Sequence, residues 1–230
     1  MWRATGTTAA TFRAALLAEW VPEALSAGGV ASLELNLLLD DQGIFAFPPD
    51  ERGDIPNADS LVTLGLERAH DLDDVAARDV LHRLARRVDV WRVEPYDRKS
   101  NAADRDWPDG VASPGVKMVS FVQRAPELTH EQFVRHWTER HTPLALRHHV
   151  GLWHYRQNVV RRAFTPGGRA IDGIGELHFR TRADFETRFY DSDEGLQAIR
   201  EDVKRFIAPH PMRLSALMEE IMVKTSGARR

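Results

Sequence analysis

The chain has 230 residues, no cysteine and a formal net charge of −3 at pH 7. This length suits one large domain or two of about 110 residues, and the lack of cysteine excludes disulfides, thiolate catalysis and thiolate metal sites. The charge gives no indication of nucleic-acid binding. We also find no signal-peptide pattern and no apolar run of about 20 residues, so we expect a cytoplasmic protein outside the membrane.

The first half of the sequence alternates helical and strand-like segments. An apolar stripe at helical spacing, formed by Phe12, Leu16, Leu17 and Trp20, predicts a helix over residues 8–25 that ends at a glycine pair. The elements expected after it are strands at 30–39, 44–47 (brief, within a loop over 40–57) and 60–66, a helix at 72–86 and a strand at 88–93. Residues 97–114 are polar and contain Pro and Gly, which is typical of a linker.

The second half begins with a predicted strand over 116–122. Thr129 and Gln132 have the spacing of a capping box, and Phe133 and Trp137 share one face of the helix that follows. Because Pro143 interrupts the helical ladder, we place His141 at a joint between two helical pieces, with Thr142 capping the second. The remaining expected elements are strands at 152–158 and 171–179, helices at 182–189 and 193–206, and a strand within 213–223.

The two halves align as repeats of one unit. Phe12 aligns with Phe133 at an offset of 133 − 12 = 121, and the same offset places Trp20 on His141 without a gap into the following strand. We therefore predict a degenerate N-terminal unit over residues 1–96, a linker over 97–114 and a C-terminal unit over 115–225. The first unit has few residues before Thr8 for an opening strand, so either this unit lacks that strand or the true start of the protein lies upstream.

Five stretches of the second unit carry a family resemblance. They are Gln123-Arg124 after the first strand, EQFVRHW, the block from His141 to Ala145, the strand from Tyr155 to Asn158, and residues 171–179. Over Val116 to Val223 the chain resembles the EthD family of the dimeric α/β-barrel superfamily.

The resemblance implies an α+β fold with two tandem ferredoxin-like units. Their antiparallel sheets would form one α/β barrel with the helices outside, and the lumen would be the natural pocket. The barrel would then be an intramolecular pseudo-dimer, and a further homodimer stays open.

Alternation assigns the strand faces. Gly175, Leu177 and Phe179 suit the helix layer, so Ile174, Glu176 and His178 are expected in the lumen. In the opening strand Val119 and Phe121 are assigned to the helices, which leaves Met118, Ser120 and Val122 for the lumen. In the second strand Trp153, Tyr155 and Gln157 form one face and His154, Arg156 and Asn158 the other, and periodicity does not decide which face is inside.

The candidate site follows from the resemblance and these faces. His141 is the expected general acid or base, because imidazole transfers protons near neutral pH, and Glu176 or Tyr155 would orient it or polarise a carbonyl. The expected substrate-binding residues are His178, Asn158, Trp153, Met118 and Ser120. The alternative for His141 is a structural bond to a helix-end carbonyl. We expect His136, His148 and His149 on the surface, and we expect the first unit to lack polar site groups, since Trp20, Thr63 and Gly65 stand in for His141, Glu176 and His178.

The leading function is a lyase, cyclase or isomerase acting on a hydrophobic, aromatic or polyketide-type small molecule. No cofactor is required, and no HxxxH or HxH spacing supports a metal site. Whether the chain is an enzyme stays open. One alternative is a non-catalytic binding or accessory protein for an apolar ligand, and another is a cofactor-independent monooxygenase.

Overall fold

The computed structural model describes residues 1–40, 42, 58–68, 79–208 and 214–225. Two compact units divide the chain: Met1–Val88, Asp106–Ser113 and Met218–Arg230 form unit 1, and Asp89–Arg105 and Pro114–Leu217 form unit 2. All strand pairs described in either unit are antiparallel. The prediction of a mixed α/β chain with antiparallel sheets is therefore confirmed.

Unit 1 contains one helical arm and three paired strands. The arm consists of α1 (Ala9–Ala15), a first π-turn (Leu16–Trp20) and α2 (Val21–Ser26). Strand β2 (Val30–Leu38) pairs with β3 (Ser60–Leu66) on one side and with residues of β9 (Leu214–Lys224) on the other. A separate short pair joins β1 (Trp2–Arg3) to β4 (Ala85–Arg87), which follows α3 (Asp79–Leu84).

The helical arm of unit 1 starts and packs as its sequence predicts. The Thr8 side chain accepts a hydrogen bond from the Thr11 backbone at 3.1 Å and so caps α1. Phe12, Leu16 and Trp20 are buried in one cluster with alternate residues of β2, namely Leu33, Leu35 and Leu37. These leucines therefore form the helix-packed face of the sheet in unit 1.

Unit 2 has four neighbouring strands in the order β6-β8-β7-β5. They are β5 (Trp91–Lys99), β6 (Val116–Val122), β7 (Leu152–Ala163) and β8 (Gly173–Phe179), and every residue of β6 and β8 is buried. A 3-10 turn (Ala102–Asp104) follows β5. The helical segments are α4 (His130–Arg135), a second π-turn (His136–His141), α5 (Thr142–His148), α6 (Arg182–Thr187) and α7 (Asp193–Val203).

Two of the predicted elements differ from the structure, and two others lie wholly or partly outside the described residues. The strand expected at 88–93 lies instead at Trp91–Lys99, because Pro95 is tolerated in a strand that pairs with only β7 in this order. Ala85–Arg87 is a strand rather than the end of a helix. The brief strand at 44–47 and residues 72–78 of the helix expected at 72–86 lie outside the described residues.

The joint at His141 is continuous rather than broken. Thr142 has a helical backbone and its hydroxyl donates to the Trp137 carbonyl at 3.0 Å, so the prediction that Thr142 caps a second helix is wrong. The π-turn absorbs Pro143 instead, because Pro143 lies in the first turn of α5. The arm of unit 1 has the same construction, with a π-turn followed by Pro22.

Candidate functional site

The helical arm of unit 2, which consists of α4, the second π-turn and α5, is held at its start by a complete capping box. The Thr129 hydroxyl accepts from the Gln132 backbone at 3.2 Å, and the Gln132 side chain accepts from the Thr129 backbone at 2.8 Å. Phe133 and Trp137 then pack on the sheet, where the Trp137 ring lies over Gly173. These contacts fix the face that the second π-turn presents.

His141 lies at the end of that π-turn and is buried against α7. Its Nδ1 is 2.9 Å from Oδ2 of Asp202, and the second oxygen of the same carboxylate is 2.7 Å from Nε2 of His136. Phe206 lies beneath both rings: the His136 ring stacks on it at 4.7 Å and the His141 ring lies tilted to it at 5.0 Å. One carboxylate thus binds two imidazoles.

The bonding pattern assigns the protons. A carboxylate only accepts, so the facing nitrogens, Nδ1 of His141 and Nε2 of His136, carry hydrogen. Burial opposes ionisation of Asp202, but hydrogen bonds from His141 and His136 hold the pKa of its carboxyl below its ordinary value. In neutral His141 the lone pair is therefore on Nε2.

A second polar group lies between the sheet and the arm. Gln157 donates to the Tyr155 hydroxyl at 2.8 Å, to the Thr142 hydroxyl at 3.0 Å and to the Trp137 carbonyl at 3.2 Å. Burial raises the pKa of Tyr155 to about 12. Tyr155 is therefore a neutral, internally bonded phenol, and it makes no hydrogen bond to His141.

A third polar group contains the most deeply buried charges described in unit 2. Lys117 and Glu176 are 1% and 0% exposed, and the Lys117 Nζ lies 2.9 Å from Oε2 of Glu176. The Asn158 amide donates to the other oxygen, Oε1, at 2.6 Å. Each oxygen of the Glu176 carboxylate therefore has a partner from its own unit.

Strand register places this third group on the sheet face away from the arm. Tyr155 pairs with Leu177 and Gln157 with Gly175, on the face that Trp137 covers, whereas Asn158 pairs with Ile174 on the opposite face, which also carries Glu176. The structure therefore brings Glu176, Asn158 and His178 to one face and does not bring Glu176 together with Tyr155.

The faces predicted for β6 are wrong. Met118, Ser120 and Val122 pair with Leu177, Gly175 and Gly173, so they lie on the helix-packed face rather than on the face of Glu176. Val119 pairs with Glu176 and Phe121 with Ile174, which puts both on the other face. The apolar Val119 and Phe121 misled the assignment because both faces of this strand are buried and alternation alone cannot order them.

His178 and Trp153 are neighbours at one end of the Glu176 face. Strand register shifts between Leu152 and His154, and the Trp153 and His178 rings lie 5.4 Å apart, edge to face. The His178 Nε2 donates to the Pro114 carbonyl at 2.9 Å, and the Trp153 indole donates to Asp104 at 2.7 Å. Both predicted binding residues are therefore anchored by their own unit.

Three histidines expected on the surface are instead bonded. His136 has only 15% of its side chain exposed because it stacks on Phe206. His148 is 3.0 Å from Asp191, and the Nδ1 of buried His149 is 2.7 Å from the Phe189 carbonyl. Burial lowers the pKa of His149 to about 4, so its ring is neutral.

Unit 1 carries a buried polar pair that sequence reasoning missed. Asn36 donates to Glu34 at 2.8 Å, on the face of β2 opposite its leucines. The alignment offset of 121 places Asn36 on Gln157, which faces the arm, whereas Asn158, at an offset of 158 − 36 = 122, lies on the opposite face. Asn36 and Asn158 each donate to a buried glutamate.

Asp202 and Lys117 are the main site residues absent from the sequence prediction. Asp202 occurs in a run of charged residues at the end of a helix, where an acidic side chain is ordinarily solvated. Lys117 is the second residue of a strand whose other residues, apart from Ser120, are apolar, and that isolated charge was the available signal. Within the described residues no group of three or more His, Asp or Glu side chains has the geometry to hold a metal ion.

No helix among the described residues is both long and apolar enough to cross a bilayer. The EthD-domain family model matches residues 125–210, inside the range of the resemblance. A solved structure of an anthrone oxidase-like protein is 12% identical, with a TM-score of 0.54, covering 88% of this chain and 83% of that one. No curated protein matches the sequence. This chain is thus similar to EthD domains over residues 125–210, and in fold to an anthrone oxidase-like protein.

Proposed function

We propose that this chain is an EthD-like enzyme that moves a proton on a hydrophobic, aromatic or polyketide-type small molecule, with His141 as the general acid or base. The observation that carries the proposal is the bond between Nδ1 of His141 and Asp202 at 2.9 Å. A carboxylate behind one ring nitrogen fixes the tautomer and stabilises the imidazolium that forms when the other nitrogen takes a proton.

The chemistry suits a weakly acidic C–H or O–H next to a carbonyl or an aromatic ring. His141 Nε2 would remove that proton and return it to another atom of the substrate. Lyases, cyclases and isomerases all use such transfers. Asp202 takes the orienting role that the sequence assigned to Glu176 or Tyr155.

The substrate class rests on similarity. Residues 125–210 match the EthD model, and the similar solved structure is that of an anthrone oxidase-like protein, which suggests a polycyclic aromatic compound. The Glu176 face lies away from the arm that carries His141, so we propose His178, Asn158 and Trp153 as ligand-facing residues for the non-catalytic binding alternative rather than as partners of His141. We do not retain Met118 and Ser120 on that face.

The test uses an anthrone as the probe, without added metal or flavin. His141→Gln should lower kcat/KM by about 10²- to 10⁴-fold, the usual contribution of a general acid or base. Asp202→Asn should lower it too, because the amide cannot stabilise an imidazolium. His148→Gln is the matched control, since His148 also has an aspartate 3.0 Å from its Nδ1, and we expect a change of less than about twofold. Unchanged turnover in His141→Gln would remove His141 from the chemistry.

Two alternatives have their own support. A non-catalytic binding protein is favoured by the internal pairing of Glu176 and Tyr155, which need no ligand to satisfy them. Ligand binding by titration with no turnover would establish it.

A cofactor-independent monooxygenase is favoured by the likeness in fold to an anthrone oxidase-like protein. Oxygen uptake that follows substrate loss would identify that reaction.

We also propose that the chain contains two tandem ferredoxin-like repeats, residues 1–96 and 115–225 around a linker at 97–114, which close one α/β barrel as a pseudo-dimer. Support comes from the shared construction of their arms, in which a π-turn precedes a proline and an antiparallel strand follows. A cytoplasmic location and a further homodimer belong to the same proposal.

A further inference from the structure

We infer that His136 is a positioning residue for His141 and acts through the Asp202 carboxylate that the two rings share. The inference rests on the proposed function of His141, and it adds a residue that the resemblance and the alternation of the strands did not indicate.

The geometry restricts Asp202 from both sides. Oδ1 accepts from His136 at 2.7 Å and Oδ2 accepts from His141 at 2.9 Å, so the carboxylate plane is set by two rings at once. Phe206, which is fully buried, holds the His136 ring in a stacked contact with an interplanar angle of 17°. Rotation of Asp202 away from His141 would therefore break the bond to His136 as well.

The charges couple the two rings. One carboxylate compensates one positive charge, so a proton on His136 weakens the support that Asp202 gives to a proton on His141. The pKa of His149 is lowered mainly by burial, and a positive charge on His141 lowers it further.

The first test is an NMR titration of the His141 ring in His136→Gln. The glutamine amide can still donate to Asp202 but gains no charge, so the midpoint of the His141 titration should rise by about 0.5 to 1 pH unit. His130→Gln is the matched control, because His130 lies on the same arm and has its own aspartate, Asp172, at 3.1 Å. A midpoint that stays in place, or moves equally in the control, would overturn the inference.

The second test is the pH profile of turnover. If His141 acts as a base, the acid limb of kcat/KM in His136→Gln should move to higher pH, which lowers kcat/KM about three- to tenfold at a fixed pH on that limb. His136→Ala, which also loses the donor, should lower kcat further, and the glutamine variant should rescue that part. A purely structural His136 would lower both limbs together. If the glutamine variant does not fold, His136→Asn repeats the measurement.

The two proposals fail separately. The NMR midpoint reports coupling between the rings whether or not the probe is turned over. A shifted midpoint with wild-type activity in His141→Gln would refute the catalytic role and leave the coupling. An unshifted midpoint with activity lost in His141→Gln would refute the role of His136 alone.

Discussion

The buried Lys117–Glu176 pair allows a quantitative prediction about unit 2. At 2.9 Å and an effective dielectric constant of about 20, the attraction between the two charges is about 6 kcal/mol. That gain offsets the cost of taking both charges out of water, so the pair as a whole adds little net stability. Removing one partner leaves the other as an uncompensated buried charge.

Lys117→Met should therefore lower the free energy of unfolding by about 3 to 5 kcal/mol, and so should Glu176→Leu. The double variant should lie within about 2 kcal/mol of the wild type, because both charges are gone, although the Asn158 amide loses its acceptor. Urea denaturation followed by circular dichroism measures all four corners of this double-mutant cycle.

The exposed pair of Lys204 and Glu201 is the control, with side chains 70% and 59% exposed. Lys204→Met should change the free energy of unfolding by less than about 0.5 kcal/mol, because solvent screens that pair. Two results would refute the reasoning: a Lys117→Met variant that loses less than about 1 kcal/mol, or a double variant whose loss equals the sum of the single losses.

Gly173→Ala should destabilise the chain by about 1 to 3 kcal/mol, because the added Cβ would lie 2.3 Å from the Trp137 ring. Gly175→Ala should cost less than about 1 kcal/mol, because its Cβ would lie 3.6 Å from the same ring. Thermal melts of the two variants test this order. The hydrogen bond from His154 holds the pKa of Asp97 well below its ordinary value, so its contribution to stability is present above about pH 4 and is lost as pH falls through the lowered pKa. Asp97→Asn should reduce the loss of unfolding free energy at acid pH by at most about 1 kcal/mol, since the carboxyl is partly exposed. An unchanged dependence of the unfolding free energy on pH would contradict this role of Asp97.

Local signals predicted most of the elements of this fold. The capping box at Thr129 and the apolar stripe of the first arm act within one or two helical turns, so their spacing alone identifies them. The prediction placed β5 too early in the sequence. Charged residues and Pro95 are tolerated in a strand at the edge of a sheet, and a local sequence pattern does not show which strands lie at an edge.

The candidate site was harder to predict, since its contacts join distant parts of the chain. His141 was identified by resemblance, but its partner Asp202 is 61 residues away, on a separate helix. The prediction that His178 shares a face with Glu176 was correct, whereas Met118 and Ser120, predicted on that face, lie on the other one. Each strand in question is buried on both faces, and register against neighbouring strands, rather than alternation, decides the direction of each side chain.

The π-turn of the second arm links helix winding to proton chemistry. In an α-helix, residues five apart lie about 140° from each other, so His136 and His141 would face different directions. The bond from the Thr142 backbone to the Trp137 carbonyl closes a wider turn, in which both rings reach one carboxylate. The α-helical geometry would separate the two rings, so the bonds to Asp202 favour the wider winding. The protonation state of His136, His141 and Asp202 is therefore thermodynamically linked to the local winding of this helix.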